Sequence, residues 1–152
     1  MMERILIAVD FSPGTGAMID AAAALGRALE AECWLVHVAA PEPAFVGYEV
    51  GPQSVRDQVA TELIGEHHEL HAVAARLRTG GLHVTAIQVQ GPTVEKILDE
   101  AARLEVDLIV LGSHGHGALR RALLGSVSEG VLRAARCPVL IMPPPRDAAK
   151  HD

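Results

Sequence analysis

The sequence predicts an α/β fold in which a single doubly wound sheet of five parallel strands carries helices on both faces. Short apolar runs alternate strictly with stretches of helical periodicity along the chain, which is the pattern of parallel strands joined by right-handed helical crossovers. Of the 152 residues, 49% are hydrophobic but only 3% are aromatic. A core of aliphatic side chains suits buried strands covered by Ala-rich helices.

The first unit reads as a strand, a turn and a helix. Residues 4–9 form a nearly continuous apolar run, which is typical of a strand buried on both faces. Residues 12–16 contain Ser, Pro and two Gly and provide the turn, after which apolar residues recur at helical spacing from 18 to 29. Residues 33–39 return to a strand, so a parallel crossover is expected.

The rest of the chain continues the alternation. Residues 40–53, with three prolines and two glycines, form the one long predicted loop, and Ser54 opens a long helix that ends at Gly80 and Gly81. The later elements are a strand at 84–89, a helix that starts near Pro92, a strand at 106–111, a helix at 126–135 and a strand at 138–142. One domain over residues 1–143 with a frayed tail at 144–152 is therefore predicted.

Charge and hydropathy argue against several function classes. The 13 basic and 19 acidic residues give a formal charge of −6, and because the basic residues form no run or stripe, neither nucleic acid nor an anionic membrane is an expected partner. No apolar run approaches the ~20 residues of a membrane-spanning helix, and Asp10 interrupts the first run before it resembles a signal peptide. We expect a cytoplasmic protein in which Cys33 and Cys137 are structural thiols.

The predicted topology also indicates where a ligand would bind. In a doubly wound sheet, ligands lie outside the carboxyl ends of the strands, at the point where the strand order reverses. This rule selects Asp10, Val38, Gly91 and the segment from Gly112 onward. A carboxylate at the end of a central strand can accept hydrogen bonds from ribose hydroxyls. The alternative for Asp10 is to cap the turn that starts the first helix.

The segment 112–128 reads Gly-Ser-His-Gly-His-Gly-Ala-Leu-Arg-Arg-Ala-Leu-Leu-Gly-Ser-Val-Ser. Gly112 and Gly115 would let backbone amides approach a phosphate without an obstructing Cβ, and Gly125 with Ser126 would start a helix whose free amides favour negative charge. Plain turns are the alternative explanation of such glycines. The segment is neither a Walker A loop nor a dinucleotide-binding G-x-G-x-x-G motif.

At these positions the sequence resembles the universal stress protein family, and the resemblance covers nearly the whole chain. It runs from Ile-Leu-Ile-Ala-Val-Asp at 5–10 through Leu-Val-His-Val at 35–38 to Cys-Pro-Val-Leu at 137–140. Its most specific part is Val-Leu-Gly-Ser-His-Gly at 110–115 with Gly-Ser-Val-Ser-Glu at 125–129, which is similar to the family's nucleotide-binding signature. The intact glycine spacing points to the ATP-binding branch.

The resemblance implies a Rossmann-like fold of the adenine nucleotide α-hydrolase type and an adenine nucleotide as ligand: ATP, or ADP or AMP, with Mg²⁺ as a candidate companion. By resemblance, Asp10 would contact the ribose or adenine region, and the backbone of Val38 would meet the adenine ring. The residues that would line the same pocket or hold ribose and phosphates are Ala8, Ser12, Leu111, Gly112, His114, Gly115, Gly125, Ser126, Val127 and Ser128.

Several histidines have competing explanations. His67 and His71, one turn apart on the second helix, could provide two metal ligands, but no third ligand is evident and no metal is predicted there. His114 and His116 could meet a phosphate or lie in solvent. His37 falls within a buried strand pattern, where its polar atoms should be satisfied.

Two other groups of residues also leave alternatives open. Arg120 and Arg121 could clamp a terminal phosphate or a partner, or could form a solvated helical turn. Phe45 and Tyr48 place half of the four aromatic residues in the loop at 40–53. That loop could fold over the nucleotide or contact a partner, or it could be an ordinary variable loop.

Three functions remain open. The leading one is a stress-response or signalling module whose nucleotide occupancy biases a conformation or an assembly that a protein partner reads. The second is a slow ATPase or nucleotidyl-transfer enzyme. Such an enzyme would need a general base and bound Mg²⁺, and Asp10 is the only obvious carboxylate near the predicted pocket. A nucleotide-free dimeric interaction module is the third.

Because the apolar strand at 138–142 is expected at a sheet edge, a homodimer through it is predicted, as the family resemblance also implies.

Overall fold

The computed structural model describes residues 2–39, 53–113 and 124–143. Within these ranges strands and helices alternate strictly. The elements are β1 (Arg4–Val9), α1 (Thr15–Ala28), β2 (Glu32–Ala39), α2 (Gln53–Thr79), β3 (His83–Gln90), α3 (Thr93–Arg103), β4 (Leu108–Gly112), α4 (Ser126–Ala134) and β5 (Val139–Met142). Outside the described residues lie the predictions for Phe45, Tyr48, His114, Gly115, His116, Arg120, Arg121 and the tail at 144–152.

The five strands form one parallel sheet in the order β3-β2-β1-β4-β5. The predicted fold class is therefore confirmed. The order reverses at β1, because the chain adds β2 and β3 on one side and then crosses back to add β4 and β5 on the other. Such a reversal is the topological switch point at which α/β sheets bind ligands.

Two strands begin later than the sequence predicts. β4 starts at Leu108 rather than at 106, because the Val106 N–H donates to the Ala101 carbonyl at 3.1 Å and closes the end of α3. β5 starts at Val139 rather than at 138. Pro138 has no N–H to give to a neighbouring strand, although its carbonyl accepts the N–H of Ile109 at 3.0 Å.

The central strand is buried on both faces by alternate side chains. Ile5 and Ile7 pack with residues of α1 and α2, whereas Leu6 packs with residues of α3 and α4, and all three are completely buried. Each such side chain stabilises the fold by about 1.5–3 kcal/mol relative to an exposed position. This two-sided burial explains why residues 4–9 read as a continuous apolar run rather than an alternating one.

Hydrogen bonds join β1 to the loop before β4 at the amino end of the sheet. The Asp107 Oδ2 accepts from the N–H groups of Glu3 and Arg4 at 3.0 Å each, and the Asp107 N–H donates to the Arg4 carbonyl at 2.8 Å. Arg4 also donates from Nη1 to the Leu104 carbonyl at 2.9 Å. We call this set of four residues the amino-end clasp. It ties the two central strands together on the side opposite the expected ligand site.

Candidate functional site

β1 and β4 separate at their carboxyl ends. Their pairing ends at Ile7 opposite Val110, although β1 continues to Val9 and β4 to Gly112. On its other edge β1 stays paired with β2 through Val9. Beyond these residues the two strands are unpaired at the switch point of the sheet, and we call the region between their carboxyl ends the β1–β4 crevice.

The turn after β1 is organised by the Asp10 carboxylate. Its Oδ1 accepts from the Ser12 N–H at 3.0 Å, from the Ser12 hydroxyl at 2.6 Å and from the Thr15 hydroxyl at 3.2 Å. Ser12 and Thr15 are buried, whereas Asp10 is exposed. The carboxylate therefore holds the start of α1, which was the alternative role for this residue, and Asp10 is still accessible at the crevice.

Phe11, in the middle of this turn, adopts a left-handed backbone conformation with a φ of 59°. That conformation is rare for a bulky residue and costs about 1–2 kcal/mol. The Phe11 side chain packs against the core, and its ring centroid lies 4.8 Å from that of His37 at an interplanar angle of 48°. The strained turn thus rests on an aromatic contact with β2.

His37 is buried on β2, with 7% of its side chain exposed. Its Nδ1 lies 3.4 Å from the Glu66 Oε2 on α2, but neither atom has a hydrogen-bond partner among the described residues. The prediction that the polar atoms of His37 are satisfied is therefore wrong for Nδ1, which faces the Glu66 carboxylate at ion-pair distance without a hydrogen bond. Burial lowers the pKa of His37, and the negative charges of Glu66, Asp10 and Glu69 oppose this effect.

The start of α4 is fixed against the end of β4. The Gly125 N–H donates to the Ser113 carbonyl at 2.7 Å, and the Ser128 hydroxyl donates to the Gly112 carbonyl at 2.6 Å. Ser113 also donates its N–H to the Met142 carbonyl at 2.8 Å, which connects the same point to β5. The first amides of a helix have no partner within it, so these bonds hold a set of donors beside the crevice.

A depression lies between α2 and the carboxyl ends of β2 and β3. It has a volume of about 350 Å³. Its walls are formed by Ala39, Leu63, Ile64, His67, Gln88, Val89 and Gln90. None of these residues belongs to the predicted nucleotide site, so the depression is a separate feature from the β1–β4 crevice.

The two histidines one turn apart on α2 lie in ring contact. The ring centroids of His67 and His71 are 4.3 Å apart. The described part of the chain holds no group of three or more His, Cys, Asp or Glu residues that could bind a metal ion. Among the helices of residues 2–39, 53–113 and 124–143, none is long and apolar enough to cross a membrane.

Comparison with known proteins identifies the family. A model of the universal stress protein family matches residues 1–143. The chain belongs to this family. Universal stress protein YxiE of Bacillus subtilis is 30% identical over 147 residues, which cover 93% of this chain and 99% of YxiE.

Solved universal stress protein structures share the fold. One from Burkholderia pseudomallei is 28% identical and superposes with a TM-score of 0.70, covering 93% of this chain and 96% of that chain. The universal stress protein from Archaeoglobus fulgidus in complex with dAMP is 21% identical with a TM-score of 0.64, covering 93% of this chain and 98% of that one. At the latter identity the likeness shows the fold alone, and dAMP is the ligand of that protein.

In this universal stress protein the predicted site residues that the structure describes lie near the carboxyl ends of the strands. They are Ala8, Asp10 and Ser12 at the end of β1, Val38 in β2, Leu111 and Gly112 in β4, and Gly125, Ser126, Val127 and Ser128 at the start of α4. Ala8, Val38 and Val127 pack against the same core cluster, on the α3–α4 side of the sheet. His114 and Gly115 lie outside the described residues.

Two residues with contacts in this region, Thr15 and Glu66, were not predicted from the sequence. Thr15 bonds the Asp10 carboxylate, and a signal for it exists, because hydroxyl residues at a helix start commonly bond the adjacent turn. Glu66 faces His37 from a different element far along the chain. No local pattern predicts that contact, since it depends on where α2 packs on the sheet.

Proposed function

We propose that this protein binds an adenine nucleotide, with ATP as the leading candidate, in the β1–β4 crevice, and that occupancy biases a conformation or an assembly read by a protein partner. One observation carries the proposal. The pairing of β1 and β4 stops at Ile7 and Val110, and the start of α4 is held by hydrogen bonds from Gly125 and Ser128 beside that gap. An open switch point with a helix start at its rim suits a phosphorylated ligand.

The described residues offer complementary chemistry to such a ligand. The α4 amides beyond Gly125 would face the phosphates, and the exposed Asp10 carboxylate would accept from ribose hydroxyls. Val38, half-buried at the end of β2, would offer backbone groups to the adenine. Mg²⁺ that accompanies ATP would be carried mainly by phosphate oxygens, with Asp10 as the carboxylate at this edge. The dAMP complex of the Archaeoglobus fulgidus protein supports an adenine nucleotide at the level of the fold.

The experiment is mass spectrometry of the ligand released from the purified protein, compared with Gly125→Val. Gly125 has a φ of −64° and a ψ of 159°, which valine adopts without strain, so the variant tests access to the backbone rather than conformation. We expect wild type to release an adenine nucleotide, and Gly125→Val to retain at least about tenfold less, a loss of about 1.4 kcal/mol of binding free energy.

The matched control is Gly65→Val on α2. Gly65 is exposed, and a Cβ placed there meets no atom within 4 Å. This variant should carry as much nucleotide as wild type. If wild type releases no adenine nucleotide and added ATP does not shift its melting temperature, the proposal fails.

We also propose that the protein forms a homodimer through β5. β5 lies at the edge of the sheet and pairs with β4 on one side, and its four residues, Val139–Met142, are apolar and half-buried. An apolar edge strand invites pairing with a second copy across a two-fold axis. Light scattering at micromolar concentration should give the mass of two chains, and a monomer mass would contradict the proposal.

We also propose that the protein is cytoplasmic. The thiols of Cys33 and Cys137 are both free, as in proteins of reducing compartments. Cell fractionation checks this location.

A further inference from the structure

His37 connects the β1–β4 crevice to α2. On one side its ring contacts Phe11, which occupies the strained position between Asp10 and Ser12. On the other side its Nδ1 lies 3.4 Å from the Glu66 Oε2. A single buried side chain therefore touches both the turn that carries Asp10 and the helix that covers this face of the sheet.

Three polar atoms at and beside this ring lack hydrogen-bond partners among the described residues. They are the Nδ1 of His37, the Oε2 of Glu66 and the Oε1 of Gln88. Gln88 lies directly opposite His37 in the β2–β3 pairing, and its Nε2 donates to the Leu63 carbonyl at 3.3 Å. Two of the three atoms are oxygens that can only accept, so the donor that this cluster needs is an N–H on Nδ1, which the Nδ1–H tautomer of the neutral ring or the protonated ring provides. A proton on Nδ1 would supply a donor facing Glu66.

Carboxylates face the ring from two elements. Glu66 and Glu69 project from α2 and Asp10 from the turn after β1, while β3 contributes the neutral Gln88. The three negative charges favour a protonated ring, and burial opposes it more strongly, so the pKa of His37 is lowered. The ring is thus neutral at neutral pH and takes up its proton in acidic solution.

We propose that His37 is a positioning residue of the β1–β4 crevice: its ring supports the turn from Asp10 to Ser12 through Phe11, and the proton that it exchanges opposite Glu66 makes the binding of an anionic adenine nucleotide depend on pH. This inference rests on the proposed function. A protonated ring offsets the negative charge of Asp10 beside the phosphates, so protonation and nucleotide binding favour each other. Affinity rises as the pH falls through the pKa of His37, and the bound nucleotide raises that pKa by the same factor.

The test is a calorimetric titration of the full chain with ADP from about pH 8 to about pH 5, the range in which histidines change charge. Over this range the affinity of wild type should increase about fivefold more than that of His37→Gln, a coupling at the low end of the usual size. Glutamine keeps a polar side chain but exchanges no proton here. Because both proteins meet the same ADP, the titration of its phosphate cancels in the comparison. His83→Gln, at an exposed position in β3, should keep the wild-type profile.

A second variant separates packing from protonation. His37→Phe keeps an aromatic ring against Phe11 but exchanges no proton, so the extra pH dependence of its ADP affinity should disappear as it does in His37→Gln. The imidazole signals in NMR spectra give a further readout. Added ADP should raise the pKa of His37, and Glu66→Gln should lower it, because one of the opposing negative charges is lost.

The outcomes distinguish this inference from the proposal on which it rests. If His37→Gln follows the wild-type pH profile, or if the His37 signals titrate identically with and without ADP, the positioning role is wrong and nucleotide binding still stands. If wild type binds no adenine nucleotide at any pH, the proposed function and this inference fail together.

Discussion

The two ends of the sheet use their polar groups in opposite ways. At the amino end, the clasp joins β1 to the loop before β4, with Asp107 accepting from two main-chain N–H groups. At the carboxyl end the same two strands part beyond Ile7 and Val110. There Asp10 and Ser128 hold the starts of α1 and α4 instead of joining strands. Hydrogen bonds thus close the sheet at the amino end, where the chain needs only stability, and leave it open where the strand order reverses.

The largest expected loss of stability comes from Asp107→Ala, at the amino end of the sheet. It removes the acceptor of the Glu3 and Arg4 N–H groups, so the free energy of unfolding should fall by about 1–2 kcal/mol, a value limited by the access of water to this edge. Nucleotide affinity should stay within about twofold of wild type, because the clasp lies far from the crevice. Urea denaturation and an ADP titration measure the two quantities.

A matched control for Asp107→Ala is Asp99→Ala. Asp99 is exposed on α3 and lies 4.0 Å from the Lys96 ammonium, so its loss should change the free energy of unfolding by less than about 0.5 kcal/mol. If Asp107→Ala weakens nucleotide binding in proportion to stability, the two ends are not independent.

Compared with Asp107→Ala, Ser128→Ala should change the stability less and the nucleotide binding more. Loss of its hydrogen bond to the Gly112 carbonyl should lower the free energy of unfolding by about 1 kcal/mol. It should also weaken nucleotide binding several-fold, because only the Gly125 N–H then holds the start of α4 to the end of β4. Thermal denaturation and an ADP titration of the same samples provide the measurement.

Ser126→Ala serves as the stability control in the same helical turn. The Ser126 residue is exposed, so its substitution should change the free energy of unfolding by less than about 0.5 kcal/mol. Wild-type affinity in a destabilised Ser128→Ala protein would show that the position of α4 does not matter to the ligand.

Most of the strand positions could be predicted from the sequence because strands such as β1 and β4 are apolar runs followed by turn residues. Residues 4–9 coincide with β1, since a short apolar run followed by turn residues is typical of a strand buried on both faces. The start of α4 at Ser126 was also predicted, because Gly125 and a hydroxyl residue mark a helix start. In both cases the information lies in neighbours along the chain.

The contacts within the site could not be predicted in the same way. The left-handed conformation of Phe11 contradicts its own backbone preference and persists because the core holds its ring. The approach of Glu66 to His37 depends on how α2 packs across the sheet. The donation of the Ser128 hydroxyl to Gly112 likewise depends on the tertiary position of α4. Each is a product of packing between distant segments, for which local patterns carry no signal.

The amino-end clasp has a practical consequence for how the molecule can be handled. β1 spans six residues, so the clasp and the crevice lie about 20 Å apart at opposite ends of one strand. Met2 is exposed just ahead of the clasp. A biosensor chip or a fluorescent dye coupled to a cysteine introduced at position 2 would therefore lie at the amino end of the strands, and an immobilised molecule would keep the β1–β4 crevice turned toward the solution.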